Sequence, residues 1–207
     1  MCLGGFRMKK ITLDLIYDQI ITDPMNKKYI KKGWIPIYSV SENSKILIIG
    51  QAPGIKAQEE ETTWLDKSGD QLRNWLNVDK DQFYNKDIFG LLPMDFFFPG
   101  KAKTGDLPPR KEFYEKYHHL ILNNLNNVEL IILIGNYSQK FYLKNSYNKN
   151  LTNTVKTFQK YLPRFFPLPH PSPLNFRWFN NNPWFFEQVL TELKTIVHKI
   201  IKGAVKY

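Results

Sequence analysis

The residues able to do chemistry sit in two short islands. In ILIIGQAPG, Ile46 to Gly54, an apolar β-branched run stops at a turn built of Gly50, Gln51, Ala52, Pro53 and Gly54. In PLPHPSPLN, Pro167 to Asn175, one histidine, His170, stands among four prolines after another apolar run. A Gly/Pro turn at a strand end presents backbone N–H groups, here beside the Gln51 amide. The second island presents an imidazole on chain that its prolines stiffen. Open α/β sheets bind ligands at the C-terminal ends of their strands, so both loops belong at that edge. Though 120 residues apart, Gly50 and His170 could face one another across a single cleft.

Elements to position these loops follow from the hydrophobic pattern. Strands are expected at Lys45–Gly50, Ile88–Phe98, Glu129–Ile134 (closed by Gly135) and Phe165–Leu168. Helical spacing marks Lys10–Thr22, stopped by Asp23-Pro24, then Gly69–Leu76 with Ser68 as N-cap, and Glu112–Leu125. Further helices are expected at Ser138–Leu143, Leu151–Tyr161 and from Pro183 to about Ile201. Strands alternating with helices imply a three-layer α/β/α domain with a mainly parallel sheet of about four strands. No repeat or linker divides the 207 residues, so one domain is expected, residues 1–44 adding a helix and a basic loop to a 45–207 core.

Composition narrows the classes. The chain carries 29 Lys+Arg against 19 Asp+Glu, a net charge of +10, which favours a polyanionic partner. An AT-rich coding bias toward Lys, Asn and Ile would give the same excess, so charge alone does not decide. Cys2 is the only cysteine, which excludes an internal disulfide and a cysteine-ligated cluster, and four histidines make a dedicated metal site a poor expectation. There is no run long and apolar enough to span a membrane, and Met1–Lys10 lacks a signal peptide's apolar region. A cytoplasmic monomer without metal or cofactor is expected.

GQAPG at 50–54 and HPSPLN at 170–175 resemble the two signature loops of the uracil-DNA glycosylase superfamily. The similarity is nearest to its G-E-A-P-G/H-P-S branch, where an aromatic follows the first motif by ten residues and an A-G pair by five more; here these are Trp64 and Ser68-Gly69. The resemblance runs from about Lys45 to the final helix. It implies excision of a deaminated base, uracil foremost, from DNA by base flipping. His170 would donate to the oxygen that becomes negative as the base leaves. Gly50, Gln51 and Ala52 would hold the base carbonyls and Trp64 would stack on the flipped base. Leu174 would wedge into the gap left in the stack, and Ser172, Arg177, Lys56, Lys101 and Lys103 would meet phosphates.

The departures are specific. Ala52 stands where the best-known branch has an aspartate that steers water, which leaves Gln58 or Glu59 as candidates for that role. The branch's cluster cysteines are absent, so its iron–sulfur cofactor does not carry over. Where many members read the base with asparagine, the chain has GLLPMDFFF, and alignment puts Asp95 near that place. An ionised aspartate only accepts hydrogen bonds; it suits uracil N3–H but opposes O4. Two readings follow: a glycosylase, or a non-catalytic DNA-binding protein that keeps the cleft.

Overall fold

Apolar runs whose two faces are both covered should form a parallel sheet rather than an exposed one. The computed structural model, which describes residues 11–203, shows this arrangement. Strands β1 (Ile46–Ile49), β2 (Phe89–Leu91), β3 (Leu130–Ile134) and β4 (Phe165–Leu168) form one all-parallel sheet in the order β2-β1-β3-β4. Ile46 registers with Phe89 on one side and Leu130 on the other, and Ile131 with Phe165. Pro167 lies in β4, at the sheet edge, where a residue without an N–H is tolerated.

Helices complete the outer layers. They are α1 (Leu13–Thr22), α2 (Lys27–Ile30), α3 (Ile55–Glu59), α4 (Lys67–Leu76), α5 (Lys80–Tyr84) and α6 (Lys111–Leu122), followed by α7 (Gly135–Leu143), α8 (Leu151–Lys156), α9 (Phe176–Asn180) and α10 (Leu190–Lys202). Alternate strand residues feed two cores, as a two-residue side-chain period requires. Ile46, Ile48, Ile132 and Phe166 pack with Leu72 and Trp75 of α4 and Leu193 and Val197 of α10. Leu47, Ile49, Ile131 and Leu133 pack with Ile16 and Ile20 of α1 and Phe113 and Tyr117 of α6. No helix among the described residues is long and apolar enough to cross a membrane.

Several expected boundaries move, each for a local reason. The Lys10 end of the first expected helix, Cys2 and the rest of Met1–Lys10 lie outside the described residues; Thr12 caps α1 by accepting from the Leu15 N–H. The N-cap of α4 is Asp66, not Ser68: Oδ1 of Asp66 accepts from the N–H groups of Ser68 and Gly69, both at 3.1 Å. Gly135 opens α7 at φ +82° instead of merely closing β3. The helix expected over Leu151–Tyr161 breaks at Thr157 into α8 and a 3₁₀ turn, Phe158–Tyr161. Past Pro183 the chain makes a π turn, Phe185–Val189, before α10 begins.

The second strand departs most. Only Phe89–Leu91 pairs in register, and beyond it the chain tracks the end of β1 through Met94 N–H to Gly50 O (2.9 Å) and Asp95 N–H to Gln51 O (3.1 Å). Pro93 has no N–H to continue the ladder, and Phe96, Phe97 and Phe98 turn into the core, where Phe97 stacks on Tyr29. His118 fixes this bend. Its Nε2 lies 3.0 Å from the Pro93 carbonyl and its Nδ1 2.6 Å from the Tyr142 hydroxyl. Burial pushes the imidazole pKa down to about 4. The ring is therefore neutral: Nε2–H donates to Pro93, and Nδ1 accepts from Tyr142.

Candidate active site

Parallel strands bring all four strand-end loops to one edge. In the order β2-β1-β3-β4 the chain reverses direction of travel between β1 and β3, which is where such sheets open a crevice. The GQAPG turn leaves β1 at that point. Opposite it, the loop after β4 delivers His170. The two islands and the chain around Trp64 line a single cavity of about 520 Å³, which also includes Pro93 and Ser68.

Trp64 and His170 converge inside it, with ring centroids 5.8 Å apart and planes inclined by 32°. Gly50 is needed beneath them, because a Cβ there would come within 3.0 Å of the Trp64 ring. Gln51 is half-buried, and its amide makes a long 3.4 Å bond to the Leu107 carbonyl. No side chain among the described residues hydrogen-bonds the His170 ring. The loop is instead fixed through its backbone, where the Asn175 amide donates to the His170 carbonyl at 2.9 Å. Burial lowers the His170 pKa below the ordinary imidazole value, and the Asp66 carboxylate pulls weakly the other way. The ring is neutral at pH 7, and one nitrogen donates.

Trp64 holds a left-handed backbone, φ +64°, uncommon for a bulky residue and a sign of constraint from its surroundings. The constraint is visible. Arg73 of α4 donates from Nη1 to the Trp64 carbonyl at 2.9 Å and from Nη2 to Asp70 at 2.7 Å. The Tyr84 hydroxyl donates to the adjacent Thr63 carbonyl at 2.9 Å. Trp64 O also packs onto Gly69 so closely that a Cβ there would stand 1.7 Å away. Small residues at Ser68-Gly69 thus have a steric cause. Replacing Arg73 with lysine removes the fork that grips Trp64 and Asp70 together. Losing one charged hydrogen bond, on the order of 1.5–3 kcal/mol, should lower the thermal unfolding midpoint of Arg73→Lys by several degrees relative to the unaltered chain.

Other expected site residues fall in different places. Gln58 is buried with both ends of its amide engaged: Nε2 donates to the Ile35 carbonyl and Oε1 accepts from the Phe98 N–H, each at 2.9 Å. It ties three segments together and does not line the cavity. Glu59 is exposed and also outside the lining. Asp95 does not line the cavity. It is fully buried in a two-pronged pair with Arg110, Nε to Oδ2 at 2.7 Å and Nη2 to Oδ1 at 2.8 Å, and it also accepts from the Phe97 N–H. Every lone pair facing a base would have to leave this fork, and Pro93 occupies the cavity wall in its stead.

Among the phosphate candidates, Lys56 and Lys101 line the cavity, and Lys101 is paired with Asp106 at 2.6 Å. Lys103 is exposed on the same loop. Ser172 caps a 3₁₀ turn, Pro173–Asn175, by accepting from the Leu174 N–H. That turn holds Leu174 out into solvent with 86% of its surface exposed; Phe176 beside it is 55% exposed, and Arg177 follows on α9. Three carboxylates that the motifs did not single out, Glu60, Asp66 and Asp106, also line the cavity. Asp66 was legible as a helix cap ahead of Ser68-Gly69, since aspartate is among the best N-caps.

The match with known proteins agrees with this geometry. Residues 37–194 fit the family model described as the Uracil DNA glycosylase superfamily. That stretch spans most of the chain and contains the whole sheet, the turn after β1, Trp64 and the His170 loop. The chain belongs to the uracil DNA glycosylase superfamily.

Proposed function

We propose that this protein is a DNA glycosylase that flips a deaminated base, uracil first among the candidates, into the cavity and hydrolyses its N-glycosidic bond. The observation that carries this reading is the convergence of Trp64 and His170 over Gly50 in one cleft. A flat ring and a neutral imidazole donor, side by side on a glycine floor, suit a planar base whose carbonyl oxygen becomes negative. Trp64 stacks on the base. The C1′–N1 bond breaks with its electron pair going to the base, and His170 donates to O2 as charge develops there. Gln51 and the turn N–H groups orient the remaining carbonyl edge. Water adds to the oxocarbenium-like sugar and loses a proton, which leaves an abasic site and free base.

With Gln58 engaged on backbone, the carboxylates of the cavity take over the water and the sugar charge. Asp66 is best placed: only its Oδ1 is used in capping α4, and its charge is felt at His170. Leu174, raised on the turn that Ser172 caps, fills the space vacated in the stack. Lys56, Lys101, Lys103 and Arg177 meet the backbone on either side.

Ala52 and the burial of Asp95 favour the alternative of a DNA-binding protein without activity. A panel of single-lesion oligonucleotides separates the two. Alkali-labile abasic sites should form on uracil faster than on hypoxanthine or on unmodified DNA. Tight binding with no abasic site on any member of the panel would establish the alternative.

A further inference from the structure

A second cavity, about 560 Å³, lies on the other side of Gln51 and His170, at the ends of β3 and β4. Those two residues line both spaces and form the partition between them. Its chemistry differs from that of the first. Among its lining residues there is no carboxylate, whereas Lys140 and Lys149 both reach it. Three aromatic rings line it, those of Tyr137, Tyr147 and Trp178. Two of them are fixed: Tyr147 donates to Asn136 at 2.7 Å under the Lys140 ammonium, and Trp178 donates to Thr152 at 2.9 Å. Tyr137 is not held this way and leaves 41% of its surface open.

We propose that this cavity is a subsite for the nucleotide next to the excised base, and that it holds that neighbour unstacked, with its base on Tyr137 and its phosphate near Lys140 and Lys149. The inference rests on the glycosylase reading of the first cavity and deepens it. A cationic wall without acids suits a phosphate, and an open aromatic face suits any base. The shared partition sets the spacing. A base lodged beyond His170 belongs to the residue adjoining the one lodged before it, because the two spaces share Gln51 and His170 as lining. A neighbour cannot occupy this pocket and stay paired in a duplex. The subsite therefore selects for single-stranded or locally open DNA.

The test uses the full chain and a short single-stranded DNA whose one uracil nucleotide is 2′-fluorinated to resist cleavage. The nucleotide on each side of the uracil is replaced, one at a time, by a tetrahydrofuran that keeps the phosphate and lacks the base. Binding is read by fluorescence anisotropy. The base-less neighbour on one side should weaken binding about tenfold and that on the other less than twofold. Tyr137→Ala, at an exposed position, should erase this asymmetry, and Lys140→Gln should lower the salt slope by about one charge. Equal effects on both sides, or an asymmetry that survives Tyr137→Ala, would overturn the subsite. Cleavage of the unmodified uracil strand is followed in parallel. Cleavage without asymmetry sinks the subsite alone, and asymmetry without cleavage supports the subsite while removing the glycosylase reading.

Discussion

His170→Ala is expected to slow single-turnover base release by a hundredfold or more while DNA affinity changes less than about twofold, the usual signature of losing one donor to a developing anion. The ring touches no side-chain hydrogen-bond partner among the described residues, so its removal leaves the loop's own anchor, Asn175 to the His170 carbonyl, in place. A pH profile adds a second readout. Burial depresses the His170 pKa, so the ring stays neutral as pH falls to that lowered value, and below it the imidazolium still donates from both nitrogens. The donor at this position should therefore not limit activity from pH 8 down past the ordinary imidazole value of about 6.5. An acid limb at or above 6.5, or parallel losses of binding and cleavage, would give His170 a different role.

Gly69→Ala is expected to be the most damaging single methyl that can be added near the site. The new Cβ would fall 1.7 Å from the Trp64 carbonyl oxygen, which Arg73 holds from the other side. Backbone rather than a flexible side chain must move, at a cost of about 3 kcal/mol or more. Thermal unfolding should drop by several degrees, and base capture should fall with it as Trp64 tilts away from His170. Gly54→Ala is the control. Its Cβ would have nothing nearer than the Asp106 carboxylate at 4.0 Å, so stability should barely change. Similar melting temperatures for the two variants would mean that the Trp64 conformation is not the constrained one described here.

What the sequence disclosed and what it hid have physical reasons. Three strands of the sheet, β1, β3 and β4, were legible because they are continuous apolar runs, the mark of strands covered on both faces, whereas β2 is only Phe89–Leu91 with a glycine at its centre. The two motif loops were legible because turn chemistry is local, and Trp64 only through the family resemblance; Gly50, Gln51, Trp64 and His170 line one cavity. Asp95 and Gln58 were misleading for a shared reason. A buried polar side chain and a ligand-facing one look alike in sequence, and only the partners distinguish them. For Asp95 the partner is Arg110, 15 residues on, and for Gln58 it is the Phe98 N–H, 40 residues on. The Arg73 and Tyr84 clamp was equally invisible, since both act through carbonyls of residues 63 and 64 that carry no sequence signature. Asp66 went unread because Ser68, two residues on, is an equally good N-cap type.

Release of a base from this cleft can be read from the reaction products by mass spectrometry. The full chain is incubated with an oligonucleotide carrying one uracil, and both the small-molecule and the DNA fractions are weighed. Free uracil and an unbroken abasic strand should appear in equal amounts, with His170→Ala producing both at least about a hundredfold more slowly. Intact oligonucleotide recovered from a tight complex, or strand scission without free uracil, would contradict it.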